Sequence, residues 1–235
     1  MPWHNSMDKF ISAQFKQWQQ KEKIDVEEVK KPHPFITISR EYGSGGYEIA
    51  HEIASAINTG GTSDPVWAAY DRKLLEKVMD DTGLSESLTE TMTSNARKSM
   101  TNFIQTSFSK FPSQVTVFRR LVETIRLLAI NGHVIVVGRA GNVITRDIPG
   151  GMHIRIIAPM EYKIERMVHL TGQKRPDVEK LIKTKTKERD GFIKEYVKFE
   201  PADPDNYDLI INNDRYTSKE AAQLIISAIK LKGLT

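Results

Sequence analysis

The chain has 235 residues, 39% hydrophobic and 27% charged, which is enough for one buried core with room for an insertion and too apolar for a disordered polymer. Its 34 Lys and Arg against 30 Asp and Glu leave a net charge of +4, compatible with an anionic small ligand and short of the basic stripe of a nucleic-acid binder. There is no cysteine, so disulfides, thiolate metal sites and cysteine nucleophiles are excluded, and apolar runs of about five residues fall below the ~20 that cross a bilayer.

Residues 1–34 differ from the rest. Phe10, Ile11, Phe15 and Trp18 recur at near-helical spacing, a charged run follows from Lys21 to Lys31, and Pro32 and Pro34 break any helix. The expectation is an N-terminal amphipathic helix, packed on the domain or on a second subunit (a homodimer contact) or docking another partner, with a boundary near residue 34. From there short Val- and Ile-rich runs at Phe35–Ser39, Val66–Tyr70, Val134–Val137, His153–Ile157 and Leu209–Ile211 predict strands buried on both faces. Helical stripes lie between and after them: Ile49, Ile53 and Ile57; Phe118, Leu121, Val122, Ile125, Leu128 and Ala129; and Ala221, Leu224, Ile225, Ala228 and Ile229 behind a capping box at Thr217 and Glu220. Strands alternating with helices imply an α/β domain over 35–235 with a parallel sheet. Two polar stretches, 84–116 and 171–200, interrupt that rhythm and are expected to ride over the carboxyl edge of the sheet, where ligands of such folds bind. No apolar leader with a cleavage site opens the chain, so a cytoplasmic protein is the default, with neither membrane nor nucleic acid as partner.

Four local patterns carry chemistry. Ile36 to Gly46 combines a strand, a turn with Gly43, Gly45 and Gly46, and a helix start, which together make an anion cradle. It departs from the Gly-Lys-Ser/Thr ending of a Walker loop, with Gly46 in place of the lysine and Glu48 in place of the hydroxyl. Arg139 follows a hydrophobic strand and Gly138, where its planar fork suits a phosphate or a surface carboxylate. Asp71 precedes Arg72 and suits either a ligand or a helix N-cap. After Pro176, Val178, Ile182, Lys185, Arg189, Phe192 and Tyr196 step by helical intervals, which sets two cations on an apolar stripe. Such charges need an anionic ligand or the nearby Glu179, Glu188 and Asp190. The six histidines show no metal-ligand spacing.

In order, Ile38-Ser-Arg-Glu-Tyr-Gly-Ser-Gly-Gly46, Tyr70-Asp71-Arg72, Val137-Gly-Arg139, Ala158-Pro with Ile164-Glu-Arg166, Lys187-Glu-Arg189 and Asp205-Asn-Tyr-Asp-Leu-Ile-Ile-Asn212 resemble the cytidylate kinase-like branch of the nucleoside monophosphate kinases. The resemblance covers roughly residues 35–230. It implies a three-layer P-loop kinase fold with a five-stranded parallel sheet, a helical acceptor-binding insertion at 84–116 and a lid at 171–200. It further implies transfer of a γ-phosphoryl group from ATP, with Mg2+, to a nucleoside monophosphate or similar small phosphorylated acceptor. Carried over by position, Gly43, Ser44, Gly45, Gly46 and Tyr47 cradle the donor phosphates, and Arg139 holds the acceptor phosphate with Asp71 and Arg72 beside it. Arg166, Lys185 and Arg189 close over the transferring group. Tyr47 stands where the branch usually has arginine, and Val137 where the parent kinases keep an acid. Arg40 and Arg72 are the cations that would supply the missing lysine charge. The rival expectation is a catalytically silent nucleotide sensor, since Gly46 and Glu48 replace the loop's lysine and hydroxyl.

Overall fold

A computed structural model describes residues 10, 11, 13, 14, 17, 32–59, 65–80, 115–192 and 199–234. Strand β1 (Phe35–Arg40) runs into helix α1 (Gly46–Thr59), then β2 (Ala68–Tyr70), α2 (Arg72–Asp80), α3 (Val115–Asn131) and β3 (Val134–Val137). A short α4 (Gly141–Ile144), β4 (Gly151–Ile157), α5 (Met160–Thr171), α6 (Arg175–Phe192), β5 (Leu209–Asn212) and α7 (Ser218–Leu231) complete the order. All pairings are parallel and the sheet order is β2-β3-β1-β4-β5.

The sequence dictates this sheet directly. β3 is Val-Ile-Val-Val and buried at every position, as a strand covered on both faces must be. On one face Ile36, Ile38, Met152, Ile154 and Ile156 meet α1, which buries Ile49, Ala50, Ile53 and Ala54, and α7, which buries Ala221, Ile225 and Ile229. The chain leaves β1 toward β2 in one direction and β3 toward β4 in the other. Right-handed crossovers therefore place α1 and the β3–β4 connection on opposite faces. The crevice between the carboxyl ends of β1 and β3 is the topological switch point.

The expected strands form with small shifts. β4 starts at Gly151, two residues early. β2 starts at Ala68, because the two residues before it spend their backbone groups on side-chain amides. Val66 donates to Gln17 Oε1 at 3.0 Å and accepts from Gln14 Nε2 at 2.8 Å. Trp67 exchanges two bonds with the Asn58 amide. The capping box at Thr217 and Glu220 is present. Leu224, expected on the inward stripe of α7, is 44% exposed instead. Of the predicted N-terminal helix, Phe10, Ile11, Ala13, Gln14 and Gln17 are helical and lie against the domain, with Ile11 and Gln14 buried, while Phe15 and Trp18 lie outside the described residues. Residues 84–114 of the expected insertion and 193–198 of the expected lid also lie outside them. Among the described residues no helix is long and apolar enough to cross a membrane.

Candidate functional site

The loop between β1 and α1 turns on Gly43 (φ +86°) and Gly45 (φ +87°), both in the left-handed region that favours glycine. Its serine hydroxyl points inward: Ser44 Oγ donates to the carbonyls of Glu41 at 3.0 Å and Ile156 at 3.3 Å. The outer wall is braced by distant residues. Lys163 Nζ donates to Glu41 Oε2 at 2.8 Å, and the same oxygen accepts the Ala158 N–H at 3.3 Å. Asn213, fully buried, donates its Nδ2 to the Ser44 carbonyl at 2.8 Å and to the Tyr162 hydroxyl at 3.0 Å. A Cβ on Gly45 would sit 2.7 Å from that Nδ2, so this position admits no side chain. Glu41, Tyr162, Lys163 and Asn213 were invisible as a set in the sequence. Glu41 belongs to the glycine-loop motif and Asn213 directly follows the Asp205–Asn212 motif, but their side-chain partners lie between 51 and 169 residues away.

Three arginines cluster near the end of β1. Arg40, the last residue of β1, makes no side-chain hydrogen bond or ion pair with any described residue. Burial first, then the neighbouring Arg189 and Arg139, push its guanidinium down to about 9, with Asp71 opposing. Arg139 follows β3 in a left-handed conformation (φ +56°), as does Ala140 (φ +54°). Burial and then Arg72 depress it, Glu76 and Asp71 oppose, and Arg189 adds to the depression. Its nearest carboxylate oxygen, on Glu76, is 3.9 Å away. Arg189 lies over the Tyr42 ring at 5.0 Å, a cation–π contact. Burial lowers Arg189 too, against Tyr42 and Asp190, and its Nη1 is buried with no hydrogen-bond partner. Arginine does not shed its proton in proteins. Burial is the leading cause in all three, with like charge adding at Arg40 and Arg139, and an anion bound among them would offset that cost.

The turn carrying Arg139 is anchored from behind. Arg126 on α3, 1% exposed, donates to both Asp147 oxygens at 2.7 and 2.9 Å and to the Ile144 carbonyl at 2.7 Å.

The other expected site residues are placed differently. Arg166 packs against the glycine loop, donating to the Gly43 carbonyl at 3.2 Å and pairing with Glu48. Counted along the loop, the residue next to Gly46 is Tyr47, so the hydroxyl's place in a Walker sequence falls to Tyr47, and Glu48, one residue on, is the partner of Arg166. Lys185 was expected inward on the α6 stripe with Val178 and Ile182; those two are fully buried, but Lys185 is 43% exposed and pairs with Glu188. Asp71 caps α2, accepting the Leu74 N–H at 3.0 Å, while its charge is felt by both Arg40 and Arg139. Arg72 pairs with Glu76 at 2.7 Å in solvent. Among the described residues no group of three His, Asp or Glu is arranged to hold a metal.

The model of the cytidylate kinase-like family matches residues 35–215. An uncharacterized protein from Eubacterium ventriosum superposes with a TM-score of 0.65 at 22% identity, covering 84% of this chain and 98% of that one, a likeness of fold. A shikimate kinase from Acinetobacter baumannii in complex with shikimate aligns at TM-score 0.48 and 13% identity over 86% of this chain and 96% of its own. The uronate isomerase of Corynebacterium glutamicum is 24% identical over 104 residues, which are 44% of this chain and 20% of that protein. The match thus spans a fifth of that curated relative's length.

Proposed function

The chain belongs to the cytidylate kinase-like family, and from that premise we propose that it is an ATP-dependent phosphotransferase that moves a γ-phosphoryl group to a nucleoside monophosphate or a similar small phosphorylated acceptor. One observation carries the reading: Arg40, Arg139 and Arg189 converge at the switch point beside a glycine loop, one of them with a buried unpartnered nitrogen. Phosphoryl transfer is largely a matter of positioning and charge neutralisation, so a site built of donors without a nucleophile is chemically sufficient. The loop N–H groups and the α1 dipole would hold the donor phosphates, while Arg139 would fix the acceptor phosphate and Arg189 would cover the transferring group.

The donor set suits magnesium only as a passenger. With no three-residue cage among the described residues, the ion would arrive on the triphosphate's own oxygens, as Mg2+ commonly does, with Asp71 the carboxylate beside the arginines. When bound, it supplies neutralisation of charge on the phosphates.

The test is ADP release by the purified chain with ATP, Mg2+ and a panel of CMP, dCMP, UMP and AMP. Turnover with one acceptor, abolished in Arg139→Ala and Arg189→Ala, is the expected result, and absence of turnover with all of them contradicts it. A second reading, a nucleotide sensor without turnover, is favoured by one contact. Glu48 holds Arg166 against the loop, so this cation is spent before ligand arrives. Glu48→Gln separates the two. For a kinase whose Arg166 must leave Glu48, it tightens ATP by several-fold and preserves turnover; for a sensor, it tightens ATP with no ADP formed.

A further inference from the structure

We infer that Arg40, entering from the end of β1, carries the positive charge that a lysine at position 46 would otherwise bring to the donor's β- and γ-phosphates. This inference rests on the phosphotransferase reading and assigns one residue a task within it.

The observation is a matter of space. Gly46 opens α1 where the loop's lysine would stand, and it is buried. A Cβ added there would lie 3.0 Å from Arg40 Cβ and 3.2 Å from Arg40 Cγ. The stem of Arg40 thus already occupies the volume that a side chain at 46 would leave through. At the far end of the same side chain stands Gly138, φ +79°, where a Cβ would overlap Arg40 Nη1. Two glycines on separate elements, one opening α1 and one closing β3, therefore line the track of a single side chain. The Gly138 N–H donates to the Ile38 carbonyl at 2.9 Å, which ties the two strand ends together around it. Gly46 is, on this geometry, explained by Arg40 rather than by direct approach of a phosphate.

Charge points the same way. The Arg40 guanidinium has no hydrogen bond or ion pair to a described residue, whereas Arg72, Arg126, Arg166 and Arg175 all reach carboxylates. A structural arginine in a partly buried place is normally paired, because an unpaired buried charge opposes folding. Arg40 instead feels two like charges, Arg189 and Arg139, with the Asp71 carboxylate opposing them less strongly. Its planar fork offers several donors to oxygens of a polyphosphate, where lysine offers a compact point charge.

A role in ligand binding and a role in folding predict opposite signs, and the experiment uses that. Wild type, Arg40→Gln, Arg40→Lys and the double variant Arg40→Gly/Gly46→Lys are titrated calorimetrically with Mg2+-ATP and with inorganic triphosphate, and melted without ligand. Arg40→Gln is expected to raise the ligand-free Tm and to weaken both ligands about ten- to hundredfold, the range for a lost charge-assisted hydrogen bond. Arg40→Lys retains part of the affinity. In the double variant, lysine fills the vacated volume and recovers affinity that Arg40→Gln loses. Wild-type affinity in Arg40→Gln overturns the role of Arg40 and leaves the phosphotransferase reading standing. A lower ligand-free Tm in Arg40→Gln makes Arg40 a structural residue and overturns the inference likewise. A double variant no tighter than the single one refutes the claim that positions 40 and 46 serve the same phosphates. No binding of either ligand by wild type removes both readings together.

Discussion

Arg139 and Ala140 hold successive left-handed conformations between Gly138 and Gly141, and each such non-glycine residue costs on the order of 1 kcal/mol. Strain of this kind persists only where the surroundings enforce it. Here it lifts a guanidinium out of the strand direction and toward Arg40 and Arg189. Replacing Arg139 by glycine removes both the strain and one of the crowded cations. Arg139→Gly is therefore expected to gain about 1 kcal/mol of stability, seen as a higher urea midpoint at an unchanged m-value, while triphosphate or acceptor binding is lost. A residue kept for packing would lose stability on truncation.

At the scale of elements, the site is two strand ends and the helices that brace them. The turn after β3 hangs on the Arg126 fork to Asp147. Arg126→Met keeps most of the volume but leaves the Ile144 carbonyl without that donor; because Asp147 is 43% exposed and can be hydrated, the loss is about 2 kcal/mol, below the range for a wholly buried pair. Equilibrium unfolding measures it, and a several-fold weaker ligand would show that Arg139 is displaced as well. The elements that the sequence makes legible are those whose signals are local: the apolar run of β3 ending in Gly-Arg, the glycine turn entering α1 and the capping box of α7. What stays illegible is long-range. Nothing local distinguishes Arg126, 1% exposed, from the exposed Arg119 two turns earlier on the same helix, nor announces that Lys163 will reach Glu41. The α6 stripe misleads for the same reason: Val178 and Ile182 turn inward, yet the long stem of Lys185 lets its ammonium return to solvent and Glu188.

Over the whole molecule, titration sets an acid-side limit. Burial depresses His153 below its ordinary 6.5, Asp208 opposing and Lys232 adding. Partial burial raises Asp147, but the Arg126 hydrogen bond and charge, its own backbone N–H and Arg146 together hold it below the ordinary 3.8; burial raises Asp208 too, and the His153 N–H with Lys232 together hold it low. In each case the unfolded chain binds protons at a pH where the folded one does not, so stability rises with pH across that window. Stability is thus expected to begin falling as pH drops below 6.5 and to fall more steeply below 3.8. His51 is also depressed by burial, so His153→Gln should flatten part of the upper curve, His51→Gln the rest, and neither the lower part, as urea midpoints from pH 7.5 to 3 would reveal.

The Gln14 amide has a consequence in time. Its nitrogen donates to the carbonyls of Val66 at 2.8 Å and His133 at 2.7 Å, and its oxygen accepts the Tyr70 hydroxyl at 2.7 Å. One side chain thus forms an extra rung between β2 and β3, across sequence separations of 52 and 119 residues. Contacts so distant along the chain are entropically costly to form early, so this rung closes after the sheet has assembled. Gln14→Ala is then expected to leave the refolding rate nearly unchanged and to speed unfolding at least tenfold, the share of about 2 kcal/mol that falls on the unfolding limb. Stopped-flow traces in urea would show one arm of the chevron move while the other stays, which makes the first segment of the chain a latch on the lifetime of the native state.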